Sequence, residues 1–235
     1  MAIEVEREYI QKWAKEHLPD YTSRLGLMDY IYFTKDDENL TIQTDIRTLF
    51  YGTMMSFGGF IVVFKEFERI FLNVLEDNVD VLLLKKHYGD HFITALYDFS
   101  YSDYYVFPEQ LESEEELEIY LQEFVKCVRY HENVIFPYLS DITNMAKYVG
   151  SVPFERSGEI NVGGGGYPVS FFKKLAILKW GGYEERYEEY KKGLEAFIEE
   201  DFSDPEEAVE APLNKEGFVN LIDYLENKPN PFLKS

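Results

Sequence analysis

Residues 27–48 read Leu-Met-Asp-Tyr-Ile-Tyr-Phe-Thr-Lys-Asp-Asp-Glu-Asn-Leu-Thr-Ile-Gln-Thr-Asp-Ile-Arg-Thr. Two runs rich in β-branched and aromatic residues, 27–35 and 39–48, stand on either side of the polar turn Asp36-Asp37-Glu38-Asn39. Branched and aromatic side chains fit a pleated, half-buried surface, and clustered Asp and Asn favour turns. The stretch predicts a β-hairpin, and with it a sheet in the first half of the chain.

Working outward, Ile3, Tyr9, Ile10, Trp13, Ala14, His17 and Leu18 recur at helical spacing until Pro19, which predicts an amphipathic helix over 3–18. Ser56 to Phe64 reads as a buried strand, its Gly58-Gly59 pair pointing to a bulge or a close backbone approach. Over 65–76 the apolar residues fit a helix and also partly alternate, and helix is preferred. Two further strands are expected at 79–86 and 91–99 around the turn 87–90, and an edge strand at 101–107 before Pro108.

The second half is helical. Ser113 and Glu116 form a capping-box pattern ahead of a helix that carries Leu117, Tyr120, Leu121, Phe124, Val125, Val128 and His131 on one face and stops near Pro137. Asp141 caps a shorter helix ending at Gly150, a loop spans 151–168, and helices over 169–180 and 183–200 are joined by Gly181-Gly182. The acidic, proline-punctuated stretch Asp201 to Leu213 reads as a mobile connection, Asp204-Pro205-Glu206 and Asn214 as further helix-start signals, and the chain ends with a helix near 215–226. Strands first and helices second predict an α+β fold with a mainly antiparallel sheet of about four to six strands. The expected organisation is an α+β core over 1–150 with a helical subdomain over 151–235 packed on it.

Charge is the strongest compositional feature. The chain has 44 acidic and 23 basic residues among 235, a net charge of −21. Residues 109–132 hold eight acids and two bases, and 184–210 hold twelve and three, whereas 140–182 hold three acids and five bases. Such acidity disfavours nucleic acid, whose phosphates attract lysine and arginine. The N-terminus lacks a basic start followed by an apolar run, and the longest near-apolar run, Phe57 to Phe64, is far too short to cross a bilayer, so a cytoplasmic location with no membrane role is expected. Cys127 is the sole cysteine, which excludes an intramolecular disulfide and a thiolate zinc cluster.

Candidate chemistry is sparse. His87, Asp90 and His91 carry zinc-binding groups, but their spacing falls on a turn, where Gly89 and Asp90 serve the backbone. Gly163 to Gly166 lacks the lysine–serine or lysine–threonine pair of a phosphate loop, although Lys173 and Lys174 follow, and it reads as a linker or lid. Cys127 and His131 are four residues apart on an acidic helix, a poor setting for a thiolate nucleophile. No catalytic residue, metal or cofactor is assigned. The densest candidate binding segment combines Tyr101, Tyr104 and Tyr105, rigid anchors with polar tips, with the acidic residues Glu112, Glu114, Glu115, Glu116 and Glu118.

Residues 170–200 resemble a single tetratricopeptide helix pair, with Ala176, Gly182, Tyr183, Tyr187 and Leu194 at its packing positions. The resemblance covers about 30 residues and occurs once, while stable stacks need roughly three repeats, so it implies a helical hairpin and no partner-binding role. The expected function is a non-enzymatic, bacterial-type interaction protein that binds a basic partner through an acidic surface, as an immunity or inhibitor protein does. The alternative is an enzyme or small-ligand binder with a site between sheet and helical half, under the Gly163–Gly166 loop.

Overall fold

The computed structural model describes residues 5–27, 29–49, 54–80, 95–97, 111–160, 162 and 166–233. The chain is α+β, as predicted, and forms two compact units: Met1–Val63 with Leu96–Pro137, and Phe64–Ala95 with Tyr138–Ser235.

The first unit contains helix α1 (Arg7–His17), strands β1 (Thr22–Leu25), β2 (Tyr30–Asp36), β3 (Leu40–Leu49) and β4 (Met54–Phe64, to Val63 in this unit), and most of the short β5 (Ala95–Tyr97). The strands follow chain order across the sheet, β1 to β5. The predicted hairpin is β2–β3, antiparallel, with Tyr32 opposite Asp45 and Tyr30 opposite Arg47. β1 was not foreseen; it pairs with β2 and sets Arg24 opposite Tyr32. The two-residue period then separates the faces. Ile31, Phe33, Ile42 and Ile46 are buried under the helices, while Tyr30, Tyr32, Gln43, Asp45 and Arg47 occupy the outer face.

At Gly58-Gly59 the close approach that the pair predicted is present. Gly59 has φ 89°, open to glycine and strained for other residues, and its carbonyl accepts from Thr44 Oγ1 at 2.7 Å. A Cβ on Gly58 would overlap the Asp45 carboxylate. Phe57 and Phe60 of the same strand both meet helical aromatics, Phe57 on Phe124 at 5.5 Å and Phe60 on Phe136 at 5.4 Å.

Helix α3 (Glu114–Tyr130) packs on the same face, with Phe124 on Phe33 at 5.3 Å. Ser113 accepts from the Glu116 amide at 3.2 Å and Glu116 accepts from the Glu112 amide at 2.6 Å, so the predicted capping box forms. As predicted, the helix ends near Pro137, at Leu139, but it is not regular throughout. It widens into a π-turn (His131–Ile135) and resumes as α4 (Phe136–Leu139). A proline inside a helix has no N–H and crowds the carbonyl four residues back. The widened turn precedes Pro137 and accommodates it.

The second unit is helical: α2 (Lys65–Asn78), α5 (Ile142–Val149), a 3-10 turn (Phe154–Glu159), α6 (Val169–Trp180), α7 (Glu184–Asp201) and α8 (Ala211–Asn227). Residues 65–76 are thus helix. Asp141 caps α5 through the amides of Thr143 and Asn144 at 2.9 and 3.1 Å. α6 is buried almost all round, from Val169 and Phe172 to Trp180, and forms with α7 the hairpin expected from 170–200; Gly182 makes the turn with φ 75°. Three details differ from expectation. The 3-10 turn lies in the predicted loop 151–168. The last helix begins at Ala211 with Pro212 in its first turn, where a missing N–H is harmless, and Asn214 is buried inside it rather than capping it. The preceding connection is a run of hydrogen-bonded turns, including Ser203 N to Glu200 O and Ala208 N to Asp204 O.

β5 lies within the strand predicted at 91–99. The strands expected at 101–107 and over most of 79–86, with the turn 87–90, lie outside the described residues. No helix among the described residues is long and apolar enough to cross a membrane.

Candidate functional site

The structure divides the predicted acidic surface into carboxylates with internal tasks and carboxylates without them. Glu116 closes the capping box. Glu118 accepts from the Trp13 indole N–H at 3.1 Å and from Gln122 at 2.9 Å, tying α3 to α1. Glu123 pairs with Lys126. Glu132 joins a four-membered network: Arg129 bonds Asp20 at 2.8 Å and Glu132 at 2.7 Å, and Lys35 bonds Asp20 at 2.9 Å as well as Glu132. The Arg129 hydrogen bond holds the Asp20 carboxyl well below the usual carboxylate range. Glu112, Glu114 and Glu115 remain exposed, with no ion pair among the described residues. They lie at and just before the positive end of the helix dipole, which favours them locally. Tyr101, Tyr104 and Tyr105 lie outside the described residues.

The exposed ridge of the same helix was not foreseen. Glu115, Ile119, Gln122, Lys126 and Tyr130 follow one another at spacings of three and four, and Ile119 and Tyr130 are 43% and 40% exposed. The π-turn extends that ridge. Buried positions run 124, 128 and 131 and then jump five residues to Phe136, whose amide bonds the His131 carbonyl. A regular helix would turn residue 134 or 135 inward after His131. The extra residue instead leaves Val134 47% exposed. The ridge therefore joins an acidic first turn to an apolar end formed by Ile119, Tyr130 and Val134. Pro137 was the legible signal for the π-turn, although its consequence for Val134 was not.

The other candidates are closed. Cys127 Sγ and His131 Nδ1 meet at 3.6 Å, but both side chains are buried and the imidazole packs on Phe60 at 4.5 Å. Nδ1 also lies 2.8 Å from the Cys127 carbonyl. Burial pushes the thiol up to about 12 and the imidazole below its ordinary value, opposite to what an activated cysteine requires. Lys173 and Lys174, which follow the glycine loop, serve the core of the second unit. Lys173 Nζ bonds both oxygens of buried Glu68 at 2.8 and 3.0 Å, and Lys174 Nζ bonds the Ser157 carbonyl at 2.6 Å. Burial lowers the pKa of both lysines.

No group of His, Cys, Asp and Glu that could hold a metal occurs among the described residues, and His87, Asp90 and His91 lie outside them, as do Gly163 to Gly165. A depression of about 180 Å³ in the second unit is lined by Asp77, Asp80, Glu216 and Asn220, among others. It is smaller than the roughly 300 Å³ at which ligand pockets begin. α7 repeats the division of carboxylates: Glu184, Glu188, Glu189 and Glu199 pair with Lys179, Lys191, Arg186 and Lys215, while Glu185, Glu195 and Glu200 are exposed with no ion pair among the described residues. Comparison with known proteins finds no family model, no curated protein and no solved structure that matches this chain.

Proposed function

We propose that the protein is a non-enzymatic interaction protein that docks a basic macromolecular partner on the exposed ridge of α3, in the manner of an acidic immunity or inhibitor protein. The observation that carries this is the ridge itself, which runs from Glu115, beside exposed Glu112 and Glu114 at the helix start, through Ile119 and Tyr130 to Val134 in the π-turn. Carboxylates steer a basic partner and reject acidic ones, and a central aromatic or aliphatic anchor supplies the affinity. A helix of fixed geometry presents both at little ordering cost. The test is capture from a cell extract at low salt by the wild type and by a Glu114→Lys/Glu115→Lys/Val134→Ser variant. A basic protein retained by the wild type, released by salt and lost with the variant supports the reading. If no basic protein is retained, or if both forms retain the same one, the ridge is not a docking surface. A gene for a secreted basic toxin beside this one would favour the immunity role in particular.

A further inference from the structure

The outer face of the sheet has the opposite character. Tyr30 and Tyr32 stack at 5.6 Å with their rings within 5° of parallel. The Arg24 guanidinium lies over Tyr32 at 4.7 Å and that of Arg47 over Tyr30 at 5.1 Å. Neither arginine has a carboxylate partner among the described residues, and the buried Nε–H of Arg47 has no acceptor. A cation held over a ring keeps its position while those of its N–H groups that face solvent remain free to receive a carboxylate. Tyrosine and arginine are also the residues that dominate interface energetics.

We propose that this face is a second docking surface and takes a carboxylate-bearing polypeptide segment, with Arg24 and Arg47 as its charged anchors and Tyr30 and Tyr32 as its floor. Local charge complementarity selects that occupant: the face offers the guanidinium groups of Arg24 and Arg47, which have no carboxylate partner among the described residues. A segment with a few spaced carboxylates meets those groups locally. A nucleic acid brings a continuous phosphate row that the rest of the molecule repels. Asp45 is an acid set among them. Its neighbours are Arg47 on its own strand, Tyr32 opposite, Arg24 beyond Tyr32, and Gly58 of β4 beneath its carboxylate. Burial raises its pKa to about 6, so the face gains positive charge as pH falls toward 5.5. An arriving carboxylate then binds together with a proton on Asp45.

The experiment is a fluorescence-anisotropy titration of the full chain with a short labelled peptide of alternating glutamate and alanine. The corresponding lysine peptide and a labelled oligo(dT) serve as the other arms. Binding of the glutamate peptide is expected to strengthen severalfold from pH 7.5 to 5.5 and to weaken with salt. Arg24→Gln and Arg47→Gln should each weaken it roughly tenfold, as loss of a charge-assisted hydrogen-bond pair does. Asp45→Asn should bring the pH 7.5 affinity to the pH 5.5 level. Glu114→Gln/Glu115→Gln should leave it unchanged, which separates this surface from the α3 ridge. Failure of the glutamate peptide to bind, equal binding by both arginine variants with their circular dichroism intact, or preference for oligo(dT) overturns the proposal.

Discussion

Asp45 makes a quantitative prediction about the first unit. Its Oδ1 is buried without a hydrogen-bond partner, and burial raises its pKa from 3.8 to about 6. The folded state therefore holds a proton that the unfolded state releases, so stability falls as pH rises from about 4 through 6. A shift of roughly two units corresponds to a ceiling of about 3 kcal/mol, less some solvent screening because the side chain is only partly buried. Asp45→Asn keeps the shape without the charge. Its stability relative to wild type should grow from near zero at pH 4 to about 2–3 kcal/mol at pH 7. Urea unfolding followed by tryptophan fluorescence reads this directly, since Trp13 belongs to the first unit and Trp180 to the second, and Trp180→Phe isolates the first. Transition midpoints rather than intensities are compared, because His17 stacks on Trp13 at 3.8 Å. Buried His131 acts with the opposite sign, losing stability as pH drops below its ordinary 6.5, but it is common to both proteins and cancels in their difference. A difference that stays flat from pH 4 to 7 would refute the account of Asp45.

Lys173→Met should cost about 3–5 kcal/mol by removing the ammonium that bonds buried Glu68, while the double change Lys173→Met/Glu68→Leu should recover most of it; denaturant midpoints report both. Cys127 should resist a thiol reagent in the native protein and react only at the rate of opening, measured against urea. Ser113→Ala should destabilise the first unit by about 1 kcal/mol through loss of the cap, read from the Trp13 transition. Glu118→Gln should cost about 1 kcal/mol at the Trp13 contact and shift the emission of that indole, whereas Glu114→Gln and Glu115→Gln together should change stability by less than about 1 kcal/mol.

Much of the fold was legible because its signals are local. The hairpin followed from residue type and a polar turn, the caps at Ser113 and Asp141 from side chains beside their own amides, and Gly58-Gly59 from a backbone need that only glycine meets. β1 escaped because Thr22 to Leu25 is a short, largely exposed edge strand with no apolar pattern, and its pairing to β2 is what makes it a strand. Asn214 misled because the start signal ahead of it was Pro212, which a first turn tolerates. The π-turn needed the knowledge that the chain continues past Pro137, which tertiary packing of Phe136 and Leu139 decides.

The site was legible only as a sum of charges. Eight acids in 109–132 look alike in the sequence, yet their roles depend on partners far along the chain: Trp13 for Glu118, and Asp20 and Lys35 around Glu132. A carboxylate that holds an internal donor is already partly neutralised and is costly to redirect, since its donor would be left unpaired. One with only solvent and a helix dipole before it can exchange water for a partner at little loss. Net charge counts both kinds equally. Around α3 the carboxylates without an ion pair among the described residues are therefore fewer than the eight that the sequence counts, and they gather at its N-terminal end. On the opposite face of the sheet the same logic runs in reverse, because the charges there without carboxylate partners among the described residues are guanidinium groups. The first unit thus sets two guanidinium groups on the outer face of its sheet and carboxylates without an ion pair among the described residues at the start of α3, a distribution that the value of −21 averages away.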